Sequence, residues 1–208
     1  MKKEDDVDVY KIITIGDSSV GKSSIIKRFI YNTFTEDTFT TIGMNMAMHK
    51  ITLKNEKIVT LKLVDTAGQE RYRSLAKNYF TNSDGVLFVF DLNNSESFDN
   101  ISGWIKQFEE SKIKDLSIPK YLIGNKNDLV CNVEENVIQD FLSKNKDFKY
   151  MSTSAKENNN IKELFQDIAE IIYERNLKYE NMAMKNVKLN GGKHRERRNC
   201  ALKKCLFD

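Results

Sequence analysis

The chain has 208 residues, with 33 Lys and Arg against 30 Asp and Glu, a net charge of +3, 40% apolar residues and a single proline. That length and composition predict one globular domain with a tail, large enough to hold a core without disulfide staples. Three cysteines, two of them near residue 200, do not make a disulfide framework, and no apolar run approaches the length of a membrane span or a signal peptide. Lys2 also excludes N-myristoylation.

The charge is unevenly spread. From Lys185 onward there are eight basic residues against two acids, so residues 1–184 carry an excess of three acidic charges. An anionic partner is therefore expected for the tail, not for the globular part.

Residues 1–8 read as an extension. Val9 to Ile15 is an apolar run and reads as a buried strand. It runs into Gly16-Asp17-Ser18-Ser19-Val20-Gly21-Lys22-Ser23, which a helical pattern from Lys22 to Ile30 follows. Strand, G-x-x-x-x-G-K-S and helix form a P-loop. A turn of this kind points successive N–H groups inward, and the helix N-terminus adds partial positive charge. Ser18 to Ser24 are thus expected around phosphates, with Lys22 on the β- and γ-phosphates and the Ser23 hydroxyl on Mg²⁺.

Residues 31–42 show no period and read as a loop. Gly43 to Leu53 and Lys57 to Val64 flank the turn Lys54-Asn55-Glu56 and predict a hairpin, hence one antiparallel sheet edge. Asp65 to Leu75 reads as a polar loop leading to a short helix near Tyr79. In it, Asp65 can hold Mg²⁺ through water, the Gly68 N–H can reach a γ-phosphate, and Gln69 can orient an attacking water.

Val86 to Asp91 reads as a fully apolar, buried strand, and Ser97 to Glu110 carries a helical stripe through Phe98, Ile101, Ile105 and Phe108. Trp104 falls on that stripe and reads as core. Lys120 to Gly124 is a further strand, followed by Asn125-Lys126-Asn127-Asp128. The Asp128 carboxylate can accept from both N1–H and N2–H₂ of guanine, a donor pair that adenine lacks. Asn125 can tie loops together, and the Lys126 stem can lie along base and sugar. A helix over Glu134 to Leu142, a strand over Phe148 to Met151 and a last helix from Asn158 to about Leu177 complete the domain. Between the last two, Ser154-Ala155-Lys156 offers an Ala155 N–H to guanine O6.

Alternating strands and helices predict an α/β fold: six strands, mostly parallel with one antiparallel edge strand, and helices on both faces. Each polar motif follows a strand, so all gather at the carboxyl rim where such sheets bind ligands.

In this order the motifs resemble the Rab branch of the Ras superfamily of small GTPases. The likeness runs from residue 9 to about 175 and rests on residues 16–24, 39–43, 65–75, 90–101, 124–129 and 153–156. It implies a G domain over 9–177 that binds GTP and GDP, with Mg²⁺ as cofactor and slow hydrolysis, since no built-in arginine finger is assignable. It further implies that Phe34 stacks on guanine, that Thr38 lies at the nucleotide, and that Thr41 completes the metal shell with Ser23 and Asp65. Residues 36–45 and 66–77 become two switch segments. Exchange factors, GTPase-activating proteins, a GDP-dissociation inhibitor or escort protein, and effectors are the partners implied. The resemblance departs where Met44-Asn45-Met46 replaces Val-Asp-Phe and Val64 replaces Trp, positions of the effector surface.

Residues 178–208 read as a flexible basic tether. Cys205 stands in a C-a-a-X outline whose final Asp208 is not among the usual residues. Cys205 and Cys200 are the expected lipid acceptors, with the polybasic run as second signal for the cytoplasmic face of an intracellular membrane. A nucleic-acid role finds no aromatic interleaving or fold motif, and the two His and three Cys show no metal spacing. A nucleotide-dependent scaffold with little hydrolysis, and a soluble unlipidated switch, are the alternatives to a membrane-traffic switch.

Overall fold

The computed structural model describes residues 7–36, 44–66, 80–111 and 117–189. The chain divides into two compact units, residues 1–172 and 173–208, and the sheet and cleft below belong to the first.

Six strands form one sheet: β1 (Val9–Ile15), β2 (Met44–Thr52), β3 (Ile58–Thr66), β4 (Gly85–Asp91), β5 (Lys120–Asn125) and β6 (Phe148–Ser152). Their spatial order is β2-β3-β1-β4-β5-β6. The β2–β3 pair is antiparallel and every other pair is parallel. The predicted sheet, with its single antiparallel edge, is thus the one formed. The chain leaves β1 for β3 on one side and later returns to β4 on the other. The loop after β1 therefore lies at the switch point, where open α/β sheets leave a crevice.

The helices are α1 (Lys22–Tyr31), α2 (Ser95–Asp99), α3 (Ile101–Glu109), α4 (Glu135–Lys144) and α5 (Ile161–Leu189). Strand alternation sorts the core into two layers. Val86, Phe88 and Phe90 of β4 join Phe98, Trp104, Phe108 and Ile138 on one face. On the other, a Cβ at Gly85 would meet Ile168 Cδ1 at 2.8 Å, and Phe29 of α1 stacks on Phe165 of α5 at 4.1 Å. Every residue of β4 and β5 is buried, as expected for central parallel strands.

The larger differences from expectation lie in two helices. The helix predicted over 97–110 begins at Ser95, because the Asn94 side chain accepts from the Glu96 N–H and caps it. It is also divided at Asn100, which keeps helical φ and ψ and whose side chain donates to Asp17 Oδ2 at 2.8 Å. The last helix starts at Ile161 and continues to Leu189, past the predicted end near Leu177. Its added stretch exposes Tyr179 and Met182. The run Lys178-Tyr179-Glu180-Asn181-Met182-Ala183-Met184-Lys185 holds no Gly or Pro and includes the strong helix formers Lys, Glu, Met and Ala. The short helix near Tyr79 lies outside the described residues. No helix among the described residues is long and apolar enough to cross a membrane.

Candidate functional site

β1 delivers the chain to Gly16 at φ 148°, where a Cβ would stand 2.1 Å from the Val89 carbonyl oxygen. Only glycine passes β4 this closely. Ser19 and Gly21 are also left-handed, at φ 63° and 99°. Gly21 is the N-cap of α1, with no side-chain cap and no acid in the first turn. The helix thus leaves its first-turn N–H donors to an anion, in contrast to the capped α2.

Lys22 is buried, with Nζ donating to the Gly16 carbonyl at 2.9 Å and to that of Asp17. Burial pushes its ammonium down to about 8, against the pull of Asp65 and Asp17. Ser23 Oγ donates to Asp65 Oδ2 at 2.6 Å, while Asp65 Oδ1 is buried without a hydrogen-bond partner among the described residues. Burial raises the Asp65 pKa, opposed by Ser23, Lys22 and Lys27. A buried carboxylate oxygen left unpaired costs desolvation energy, and a cation bound beside it would remove that cost.

The loop after β5 meets the P-loop directly. Asn125 Nδ2 donates to the Val20 carbonyl at 2.8 Å, and Asn125 Oδ1 accepts from Thr153 Oγ1 at 3.1 Å. One fully buried amide therefore joins three loops, the tie expected of it. Asp128 Oδ1 accepts from Ser154 Oγ at 2.5 Å, and the Ser154 hydroxyl also receives the Glu157 N–H at 2.9 Å. Lys126, at φ 63°, pairs with Asp91 Oδ2 at 2.6 Å. Lys156 forms an exposed pair with Glu36 at 3.1 Å.

These loops enclose a cleft of about 850 Å³. Ser18, Ser19, Gly21, Lys22, Ser23, Ser24, Phe34, Asp65, Asn125, Lys126, Asp128, Ala155 and Lys156 line it. Val20 and Ser154 lie buried behind the wall and act through their contacts to Asn125 and Asp128. Thr38, Thr41, Gly68, Gln69, Cys200 and Cys205 lie outside the described residues.

The cleft has contributors that sequence reasoning missed. Lys27, Thr33, Thr35, Glu36, Asn45, Thr66 and Leu129 also line it. Asp17 turns its carboxylate to Trp104 Nε1 at 2.7 Å and Asn100 Nδ2 at 2.8 Å, which anchors the P-loop to α3. Trp104 is therefore core with a polar edge. Asp91 had a visible signal: it is the acid that ends a strand apolar at every other position after Gly85.

A five-stranded parallel sheet with one antiparallel edge, and a P-loop at its switch point, define a P-loop GTPase G domain. The Ras family model matches residues 11–174. The chain is 38% identical over 176 residues to GTP-binding protein ypt3 of Schizosaccharomyces pombe, covering 83% of this chain and 80% of that protein. It is 37% identical over 175 residues to Ras-related protein YPTC6 of Chlamydomonas reinhardtii (83% and 79%) and 36% over 164 to Ras-related protein Rab-8A of Pongo abelii (77% of each). The chain belongs to the Ras family, as a Rab-like small GTPase.

Proposed function

We propose that this protein is a GTP/GDP switch of vesicle-mediated membrane traffic that hydrolyses GTP slowly to GDP and phosphate. The reading rests on one observation above all: Lys22, Ser23 and Asp65 line the same cleft as Asp128 and Ala155. A phosphate cradle and a guanine-reading carboxylate within one cleft suit a guanine nucleotide.

The roles follow from chemistry. The first-turn N–H groups of α1 hold the phosphates, and Lys22 supplies full charge to the β- and γ-oxygens. A bound phosphate favours the ammonium form that burial disfavours. Asp128, aimed by Ser154, accepts from N1–H and N2–H₂, and an Ala155 N–H donates to O6. Phe34, half-buried at the cleft, offers a ring face to the base.

Mg²⁺ fits the donors present: Asp65 Oδ1, which has no hydrogen-bond partner among the described residues, beside the Ser23 hydroxyl; by the family resemblance Thr41 would be the further ligand. When bound, the ion neutralises charge on the β- and γ-phosphate oxygens. Gln69 orients the attacking water, while Thr41 and Gly68 hold the γ-phosphate until hydrolysis releases both switch segments. A GTPase-activating protein that inserts an arginine would speed the step by about 10³–10⁵.

Residues 9–177 form the switch and 178–208 its tether. Lipid on Cys200 and Cys205 would act with the neighbouring Lys and Arg as two membrane signals, of which one alone anchors weakly. That arrangement suits cycling between cytosol and the cytoplasmic face of an intracellular membrane. Exchange factors, an escort or GDP-dissociation inhibitor and effectors are the partners it calls for.

A single-turnover assay with GTP tests the reading. Wild type turns GTP over slowly, and Gln69→Leu slows it by about tenfold or more, the effect of about 1.4 kcal/mol of lost orientation. An unchanged rate would remove Gln69 from its role, and no turnover in wild type, even with an activating protein, would favour the scaffold.

A further inference from the structure

Arg28 stands in the last turn of α1, the helix whose other end carries the phosphate cradle. Its guanidinium reaches across to the loop after β6. Nε donates to the Ala155 carbonyl at 2.7 Å, and Nη2 to the Lys156 carbonyl at 2.8 Å. Nη1 turns back to the Asn32 carbonyl at 2.9 Å, and Asn158 Nδ2 adds a longer tie to Asn32 Oδ1 at 3.3 Å. Two donors of one planar group thus grip two successive carbonyls, a fork that a lysine cannot reproduce.

The consequence follows from peptide geometry. In a trans peptide the C=O and the next N–H point in opposite directions. Holding the Ala155 and Lys156 carbonyls therefore sets the planes that carry the Lys156 and Glu157 N–H groups. The Glu157 N–H donates to Ser154 Oγ, and Ser154 Oγ donates to Asp128 Oδ1. One side chain thereby fixes the two peptide planes that directly follow the Ala155 N–H, which limits where that N–H can turn, and, through a hydroxyl, orients the carboxylate beside it. Ala155 and Asp128 line the cleft, whereas Arg28 does not.

We propose that Arg28 is a positioning residue for recognition of 6-oxopurine nucleotides: it holds the 154–157 loop so that its amide edge meets O6 while Asp128 meets the opposite donors. The proposal rests on the reading of the cleft as a guanine-nucleotide site. It also gives α1 a double task, phosphate binding at one end and base reading through the other.

The test uses full-length Arg28→Lys, which keeps charge and stem without the fork, alongside Arg28→Ala. Dissociation constants are measured for GDP, for 6-thio-GDP, whose sulfur is a weaker acceptor at the O6 position, and for GMP. Both variants are expected to weaken GDP binding by about tenfold, the scale of one or two lost hydrogen bonds. They should narrow the preference for GDP over 6-thio-GDP several-fold and leave the GDP-to-GMP ratio, which reports the phosphate cradle, unchanged. Equal loss for all three nucleotides, or an unaltered oxygen-over-sulfur preference in Arg28→Lys, overturns the proposal and leaves the guanine reading intact. Wild-type protein that binds ADP as tightly as GDP overturns the guanine reading, and the proposal with it.

Discussion

At the scale of single residues, the site depends on where side chains are missing as much as on where they stand. Gly21 holds φ 99°, and an added Cβ would come within 2.2 Å of Asn125 Nδ2, the amide that binds the P-loop carbonyl. Gly103 in α3 has open space around it and an ordinary helical backbone. Gly21→Ala is therefore expected to cost about 3 kcal/mol or more in urea unfolding, from strain plus a lost buried hydrogen bond. Gly103→Ala should stabilise by about 0.5–1 kcal/mol, because it removes only the entropy cost of glycine in a helix. Equal effects would mean that the P-loop does not press on Asn125. The glycines, Lys22 and Asp128 were legible in sequence because their chemistry resides in residue type and spacing. The partners of Asp17 were not: a helical stripe reports that Trp104 is buried, but not that its indole N–H needs an acceptor. The Lys126–Asp91 pair was equally hidden, since it joins the ends of two strands 35 positions apart.

At the scale of elements, the central strands were readable as apolar runs and their boundaries hold to within a few residues. The division at Asn100 and the extension of α5 to Leu189 were not: Asn100 keeps helical φ and ψ at the division, and the periodicity of the core-facing positions ends before the helix does. The β5–β6 side of the sheet carries a consequence for pH. Burial, then the hydrogen bond and charge of Asp167 on α5, push the Tyr121 phenol of β5 far up. Burial, then Glu135 and Cys131, push Tyr150 of β6 up to about 12. A raised phenol pKa in the folded state means that the unfolded chain loses the proton first. The stability these groups contribute is complete below pH 10 and declines as pH rises from 10 toward 12. In an alkaline titration followed by phenolate absorbance, these two of the eight tyrosines should ionise only as the fold is lost. The Tyr121→Phe, Tyr150→Phe double variant should show a smaller late step, by the two phenols removed. Ionisation of every tyrosine near pH 10 with the fold intact would contradict the burial described.

At the scale of the molecule, alternation of strands and helices was enough to foresee a sheet whose polar loops share one rim, because parallel strands put all their carboxyl ends on the same side. The strand order then places the P-loop beside the end of β3, where Asp65 stands, and the β5 and β6 loops on the far side of β4. Those two loops are drawn together by Asn125, Thr153 and Ser154. The central claim is that Asp128 reads the base of a nucleotide whose phosphates lie on Lys22. Xanthine differs from guanine in presenting a carbonyl where guanine has its 2-amino group, so a carboxylate should reject it and an amide should accept it. The most direct measurement is a competition between GDP and xanthosine diphosphate on wild type and Asp128→Asn. Wild type should prefer GDP by about 10⁴-fold, the scale reached when a mismatch leaves a buried polar group unpaired, and Asp128→Asn should invert the preference. A variant that retains the preference for GDP would contradict the account.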